Sequence, residues 1–127
     1  MKKVWTKKVL TLSAVAALAL IALAAAAHGA EGETGTWTGE VVDLACYVGG
    51  GAHGDDHAGC AKSCVNNGQP MGLLTDDGTL VLLAADHKDG SAYEALKDLA
   101  GQKAEVTGTL AEKDGMKVVT VSASKAA

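Results

Sequence analysis

The residues able to do chemistry are concentrated in one stretch, Asp43–Cys64, which reads DLACYVGGGAHGDDHAGCAKSC. It holds all three cysteines, Cys46, Cys60 and Cys64, and two of the four histidines, His53 and His57. Thiolate and imidazole are the donors that zinc and copper prefer over water and carboxylate. His57, Cys60 and Cys64 are spaced i, i+3, i+7, which on a helix is a single face. Cys46 lies upstream at the expected end of a strand, joined to that helix by a glycine-rich loop that can fold it back. The expected site is therefore a Cys3His set for a zinc or copper ion: Cys46, His57, Cys60 and Cys64. His53, on the loop, is an alternate or supplementary ligand. Asp43 is either a further ligand or a group that orients a ligating histidine.

The same residues support two other chemistries. In an oxidising compartment Cys46 can pair with Cys60 or Cys64, leaving one thiol over. Cys60 and Cys64 are poorer partners for each other, because helical positions four apart sit about 6 Å apart with side chains along the axis. A spare thiol on the helix could instead do thiol redox chemistry. Several motifs fail on inspection. C-x13-C-x3-C is neither a standard zinc pattern nor a haem-attachment pattern. Gly49, Gly51 and Gly54 match a dinucleotide fingerprint, but Asp55 and Asp56 stand where a pyrophosphate would have to sit, and no βαβ unit follows. Cys60 with His57 has the types of a nucleophile and its base, yet no oxyanion or acid partner is evident, so the expectation is a non-enzymatic protein. His87 reads as solvated. His28 would matter for copper only if it became the mature N-terminus.

The elements that must position this cluster come from a short chain. Of 127 residues, the first thirty read as a signal peptide: Lys2, Lys3, Lys7 and Lys8, then the uncharged run Val9–Ala27, then small residues. The alternative is an uncleaved anchor, since 19 apolar residues approach the ~20 that span a bilayer. With cleavage there is no stable membrane anchor, and the location is periplasmic or secreted. Four lysines leave with the leader and all fifteen acidic residues stay; seven against fifteen is a balance of −8, with no arginine. That sign excludes nucleic acid as a partner, because phosphate binding needs clustered Lys or Arg. It favours cations. With one Trp, two Tyr and no Phe after the leader, the core must be Val, Leu and Ala, and a domain this small gains from a staple, either metal or disulfide.

Residues 31–35 read as a flexible lead-in and 36–124 as one domain. The expected strands are Thr36–Tyr47, with Gly39 a bulge or a close backbone approach, Met71–Thr75, Thr79–Ala85, Gln102–Ala111 and Met116–Ser122. Val48–His57 carries four glycines and is expected to be loop. Asp56–Val65 and Ser91–Leu99 are the two expected helices. The first is capped by Asp55 or Asp56 and ended by Asn66-Asn67-Gly68; the second is opened by Ser91 with Glu94 as a capping box. The tail from Ala123 is expected to be disordered. Five strands, two short helices and turn signals between strands suit a mostly antiparallel Greek-key barrel, the OB-fold.

The segment LKDLAGQKAEVTGTLAEKDGMKVVTVSAS resembles the C-terminal half of small exported bacterial OB-fold proteins, through Leu96, Gly101, Val106, Gly108, Gly115, Val119 and Val121, with Ala104 where those proteins often carry valine. The front half, D-x-x-C-Y, H-x-x-C-x-x-x-C and G-x-P, is similar to uncharacterised secreted proteins of that type, through Asp43, Cys46, Tyr47, His57, Cys60, Cys64, Gly68 and Pro70. The resemblance implies a barrel fold and brings no activity with it. The readings carried forward are an exported metal-binding barrel, a disulfide-stapled module that binds a ligand or protein, and a thiol redox protein.

Overall fold

The computed structural model describes residues 32–127, so the expected signal peptide lies outside the described residues. Five strands form a closed barrel: β1 (Glu33–Asp43), β2 (Met71–Thr75), β3 (Leu80–Ala85), β4 (Lys103–Lys113) and β5 (Met116–Ala126). Around the barrel the order is β1-β2-β3-β5-β4, with β4 returning to β1. Every pairing is antiparallel except β3 with β5, which run parallel from Leu82↔Val118 to Ala85↔Val121 and close the barrel.

β1 serves two neighbours. Its first part, Glu33–Glu40, pairs with β4, and its last part, Gly39–Asp43, pairs with β2. Gly39 and Glu40 are common to both registers, and a Cβ on Gly39 would lie 2.5 Å from the Leu74 carbonyl oxygen. The close approach expected at this glycine is what lets one strand join two. The β4–β5 hairpin turns on Asp114 (φ 53°) and Gly115 (φ 83°), the Asp-Gly pair that a two-residue turn with positive φ at both positions selects.

Three short helices are present among the described residues, one more than expected: α1 (Leu44–Gly50), α2 (Ala58–Asn66) and α3 (Ser91–Leu96). The additional one is α1, which replaces the end of the expected first strand and the start of the expected loop. Local capping outweighs the poor helix propensity of Gly49 and Gly50. Asp43 accepts a hydrogen bond from the Ala45 amide at its start, and Gly51 takes the left-handed conformation (φ 72°) at its end. A 3-10 turn, Asp55–His57, leads into α2, and another, Lys97–Leu99, continues α3. Asp55 and Asp56 lie in that first turn, while Gly54 holds the cap position. Ser91 is the first residue of α3 rather than its cap; its amide donates to Asp89, and Glu94 pairs with Lys97 at 2.7 Å instead of closing a capping box.

The ends of the domain are more ordered than expected. Glu33, Thr34 and Gly35 pair with Leu110, Thr109 and Gly108, so most of the expected lead-in is strand. β5 continues to Ala126, because Ala123–Ala126 pair with Thr107–Ala104 across the bulge at Thr107/Gly108, and Ser124 Oγ donates to the Ala92 carbonyl at 2.7 Å.

The core is aliphatic, as the composition demanded. Val41, Leu73, Val81, Leu83, Val106, Val119 and Val121 point into the barrel, and Ala61 and Val65 of α2, with Leu96 of α3, cover one end of it. That end is where β1 finishes and β2 begins, so the α1–α2 connection sits on the barrel rim.

Candidate metal centre

Each donor is placed by an identifiable local device. Asp43 ends β1 and is fully buried; its Oδ1 accepts the Ala45 amide at 2.9 Å, while Oδ2 has no hydrogen-bond partner. Because Asp43 caps α1, Cys46 falls in the first turn of that helix, close to its cap residue. α1 is held to the barrel by its own first residue. The Leu44 amide donates to the Pro70 carbonyl at 3.0 Å, and its side chain fills the space that a Cβ on Gly72 would need.

α2 carries Cys60 and Cys64 at positions adjacent to its two buried anchors, Ala61 and Val65. Burying the anchors turns Cys60 and Cys64 to the rim rather than into the core. Cys60 is exposed; Cys46, Cys64 and His57 are half-buried. Gly101, in the left-handed conformation (φ 78°), passes so close to Ala58 that any side chain there would overlap the Ala58 backbone. The start of the cysteine helix is therefore seated directly on the chain that leads into β4. The loop between α1 and α2 is tied back by Glu40 of β1, whose carboxylate accepts the Gly54 amide. The sequence did not mark out Glu40, and it marked Gly101 only as part of the barrel pattern; the folded chain brings Gly101, far along the sequence, against the start of α2 and sets Glu40 against the loop.

These elements bring the donors into two groups. In the first, Cys46, His57 and Cys60 have donor atoms all within 4.8 Å of one another. In the second, Asp43, Cys46 and Cys64 do. Cys46 is common to both. Tetrahedral zinc, with bonds of ~2.0–2.3 Å, holds its donors about 3.3–3.8 Å apart, so either group needs only small side-chain adjustments to close on an ion. The four residues expected as one Cys3His set are thus all on the rim, with Cys64 grouped beside Asp43 rather than beside the histidine. His53 lies elsewhere: it is exposed, its Nδ1 is 2.8 Å from the Gly51 carbonyl, and its ring stands edge-on to Tyr47 at 5.7 Å.

Two buried side-chain atoms among the described residues have no hydrogen-bond partner, Asp43 Oδ2 and His57 Nε2, and their residues each belong to one of the groups. A buried polar atom left without a partner is costly, and a ligated cation is one way to supply the partner. The electrostatics point the same way. Burial pushes the Asp43 carboxyl up, but the thiols of Cys46 and Cys64, with the Ala45 and Cys46 amides, bring it below the ordinary carboxylate value. In return Asp43, with burial, raises the Cys46 thiol, and Asp43, burial and Cys60 push the Cys64 thiol up to about 12. Without a cation the cluster is an anionic carboxylate surrounded by protonated thiols; all three cysteines are free. A cation that displaces the thiol protons relieves the repulsion that keeps them on.

The donor types fit zinc and copper, and the fit rests on atoms this fold leaves buried without partners. No family model, curated protein or solved structure matches this chain.

Proposed function

We propose that this chain is an exported, non-enzymatic metal-binding protein that holds zinc or copper on the rim of an OB-fold barrel, with Cys46, His57, Cys60 and Cys64 as ligands. One observation carries the reading: Cys46 of α1, Cys60 of α2 and His57 bring donor atoms within 4.8 Å of one another, and His57 has a buried Nε2 with no hydrogen-bond partner. The OB-fold assignment is supported by the strand order β1-β2-β3-β5-β4, by the parallel β3–β5 closure and by the helix that precedes β4. Export is supported by the lysine-then-alanine leader, and the acidic surface balance favours cations over nucleic acid. The ion is cargo rather than a structural staple, because the barrel has an aliphatic core of its own and Cys60 is open to solvent.

The test is to purify the chain under reducing conditions and to measure bound metal and reactive thiols on the same sample. Bound zinc or copper, with three thiols reactive after chelation, is the expected result. One reactive thiol and no metal would sink the reading in favour of a disulfide-stapled binding module. A thiol redox protein is the remaining alternative, and the exposure of Cys60 is the observation that favours it. Its signature would be turnover of a disulfide substrate by the metal-free chain, lost in Cys60→Ser.

A further inference from the structure

We infer that the rim holds two divalent cations of the zinc class rather than one, with the Cys46 thiolate bridging them. The inference rests on the metal-binding reading above and deepens it. The first position is formed by Cys46, His57 and Cys60, the second by Asp43, Cys46 and Cys64.

Three observations carry it. The donors divide into two overlapping groups that share one sulfur, and a thiolate has lone pairs enough to bridge two metals. Each group also contains a residue with an unpartnered buried atom, His57 with Nε2 in the first and Asp43 with Oδ2 in the second. An ion in the first position would leave Asp43 Oδ2 as it is. Asp43 is fully buried, and its other oxygen is already committed to capping α1, so Oδ2 is free to ligate without undoing the helix.

Charge gives the third. In ligating form the three cysteines and Asp43 bring four negative charges, and His57 brings none. One divalent ion in the first position takes up the charge of the Cys46 and Cys60 thiolates and leaves the buried Asp43 carboxylate uncompensated, where unpaired charge is expensive. Two divalent ions leave the cluster neutral. The same count selects the ion. Two Cu(I) ions would compensate only half the charge, and a carboxylate oxygen suits zinc better than it suits Cu(I). Each position then has three protein ligands and an open fourth place, the arrangement of an exchangeable rather than a closed zinc site.

The test is native mass spectrometry of the purified chain, reduced and loaded with excess zinc ion, beside Asp43→Asn and Cys64→Ser. Asn keeps an oxygen that can accept the Ala45 amide and so keeps the cap on α1, while removing the anionic ligand. Two zinc ions per wild-type chain and one in each variant, with the far-UV dichroism of the barrel unchanged, is the expected result. One zinc in the wild type overturns the two-ion inference and leaves the metal-binding reading standing. No zinc and no Cu(I) in the wild type overturns both. Two zinc ions in Asp43→Asn and Cys64→Ser alike overturns the assignment of the second position. If Asp43→Asn does not fold, Cys64→Ser alone decides, since Cys64 is half-buried on the rim and outside the aliphatic core.

Discussion

The three thiols are chemically unequal although they share one cluster. Cys60 is exposed at the start of α2, whereas Cys64 is half-buried and faces the Asp43 carboxylate, which with burial pushes its thiol up to about 12. Alkylation requires the thiolate, so reactivity follows access and the fraction deprotonated. In the metal-free chain at about pH 8, iodoacetamide should therefore modify Cys60 first and Cys64 last, as peptide mapping by mass spectrometry would show. The sign of the pH effect follows from the direction of the shift. A raised thiol pKa means that Cys64 stays protonated across neutral and mildly alkaline pH. Its modification rate should keep climbing about tenfold per pH unit beyond the ordinary thiol range instead of levelling off there. Zinc, added before the reagent, should slow all three cysteines together. Protection of Cys60 alone would mean that Cys64 is no ligand. Cys46→Ser should be the most damaging single change to metal binding, because it removes the sulfur common to both donor groups. Retention of wild-type metal content in that variant would contradict the whole arrangement.

At the scale of elements, the site depends on how α2 is seated, and Gly101 is the contact that seats it. Its φ of 78° disfavours any side chain, and the Ala58 backbone occupies the space a Cβ would take. Gly101→Ala should cost more than about 1 kcal/mol of stability and also weaken zinc binding, because the start of the cysteine helix must move. Gly115→Ala is the matched control. It has a similar φ of 83° on the hairpin between β4 and β5, but nothing lies within 4 Å of its added Cβ. It should lower the melting temperature with no change in zinc affinity; equal effects of the two variants on affinity would show that Gly101 merely contributes stability. The contrast also shows what the sequence could reveal. All five strands were readable from apolar runs between turn residues, and α2 was readable from the acidic start at Asp55-Asp56 and the Asn66-Asn67-Gly68 stop. α1 was not, since Gly49, Gly50 and Gly51 argue for loop and the helix is decided by the Asp43 cap and the docking of Leu44 against Gly72. That one miss changed where Cys46 sits. The parallel closure of β3 on β5, the division of the ligands into two groups, and the roles of Glu40 and Gly101 are contacts between distant parts of the chain, which no local pattern encodes.

For the molecule as a whole, the question is whether metal and fold are separable. A small metal-stapled domain is unfolded without its ion, because ligation supplies most of the folding free energy. This barrel is built differently. Its aliphatic core is valines, leucines, alanines and one methionine drawn from all five strands and from α2 and α3, and of the donor cluster only Asp43 is buried, the cysteines and His57 lying on the rim. β5, the last strand, pairs with both β3 and β4, and the barrel is closed by backbone hydrogen bonds that involve no cysteine. Chelation of the zinc-loaded chain should therefore leave far-UV dichroism unchanged and preserve one cooperative thermal transition, shifted to lower temperature. The shift has a calculable form. A ligand that binds only the folded chain stabilises it by RT ln(1 + [L]/Kd), about 2.7 kcal/mol at a free-ion concentration of 100 Kd. For a domain of this size each kcal/mol moves the midpoint by roughly 4–8 °C. The midpoint should thus fall by about 10–20 °C on chelation from that concentration, and should rise continuously as zinc is returned. Loss of the cooperative transition on chelation would make the ion a structural staple. An unchanged midpoint at every zinc concentration would mean that the rim does not hold the ion at all.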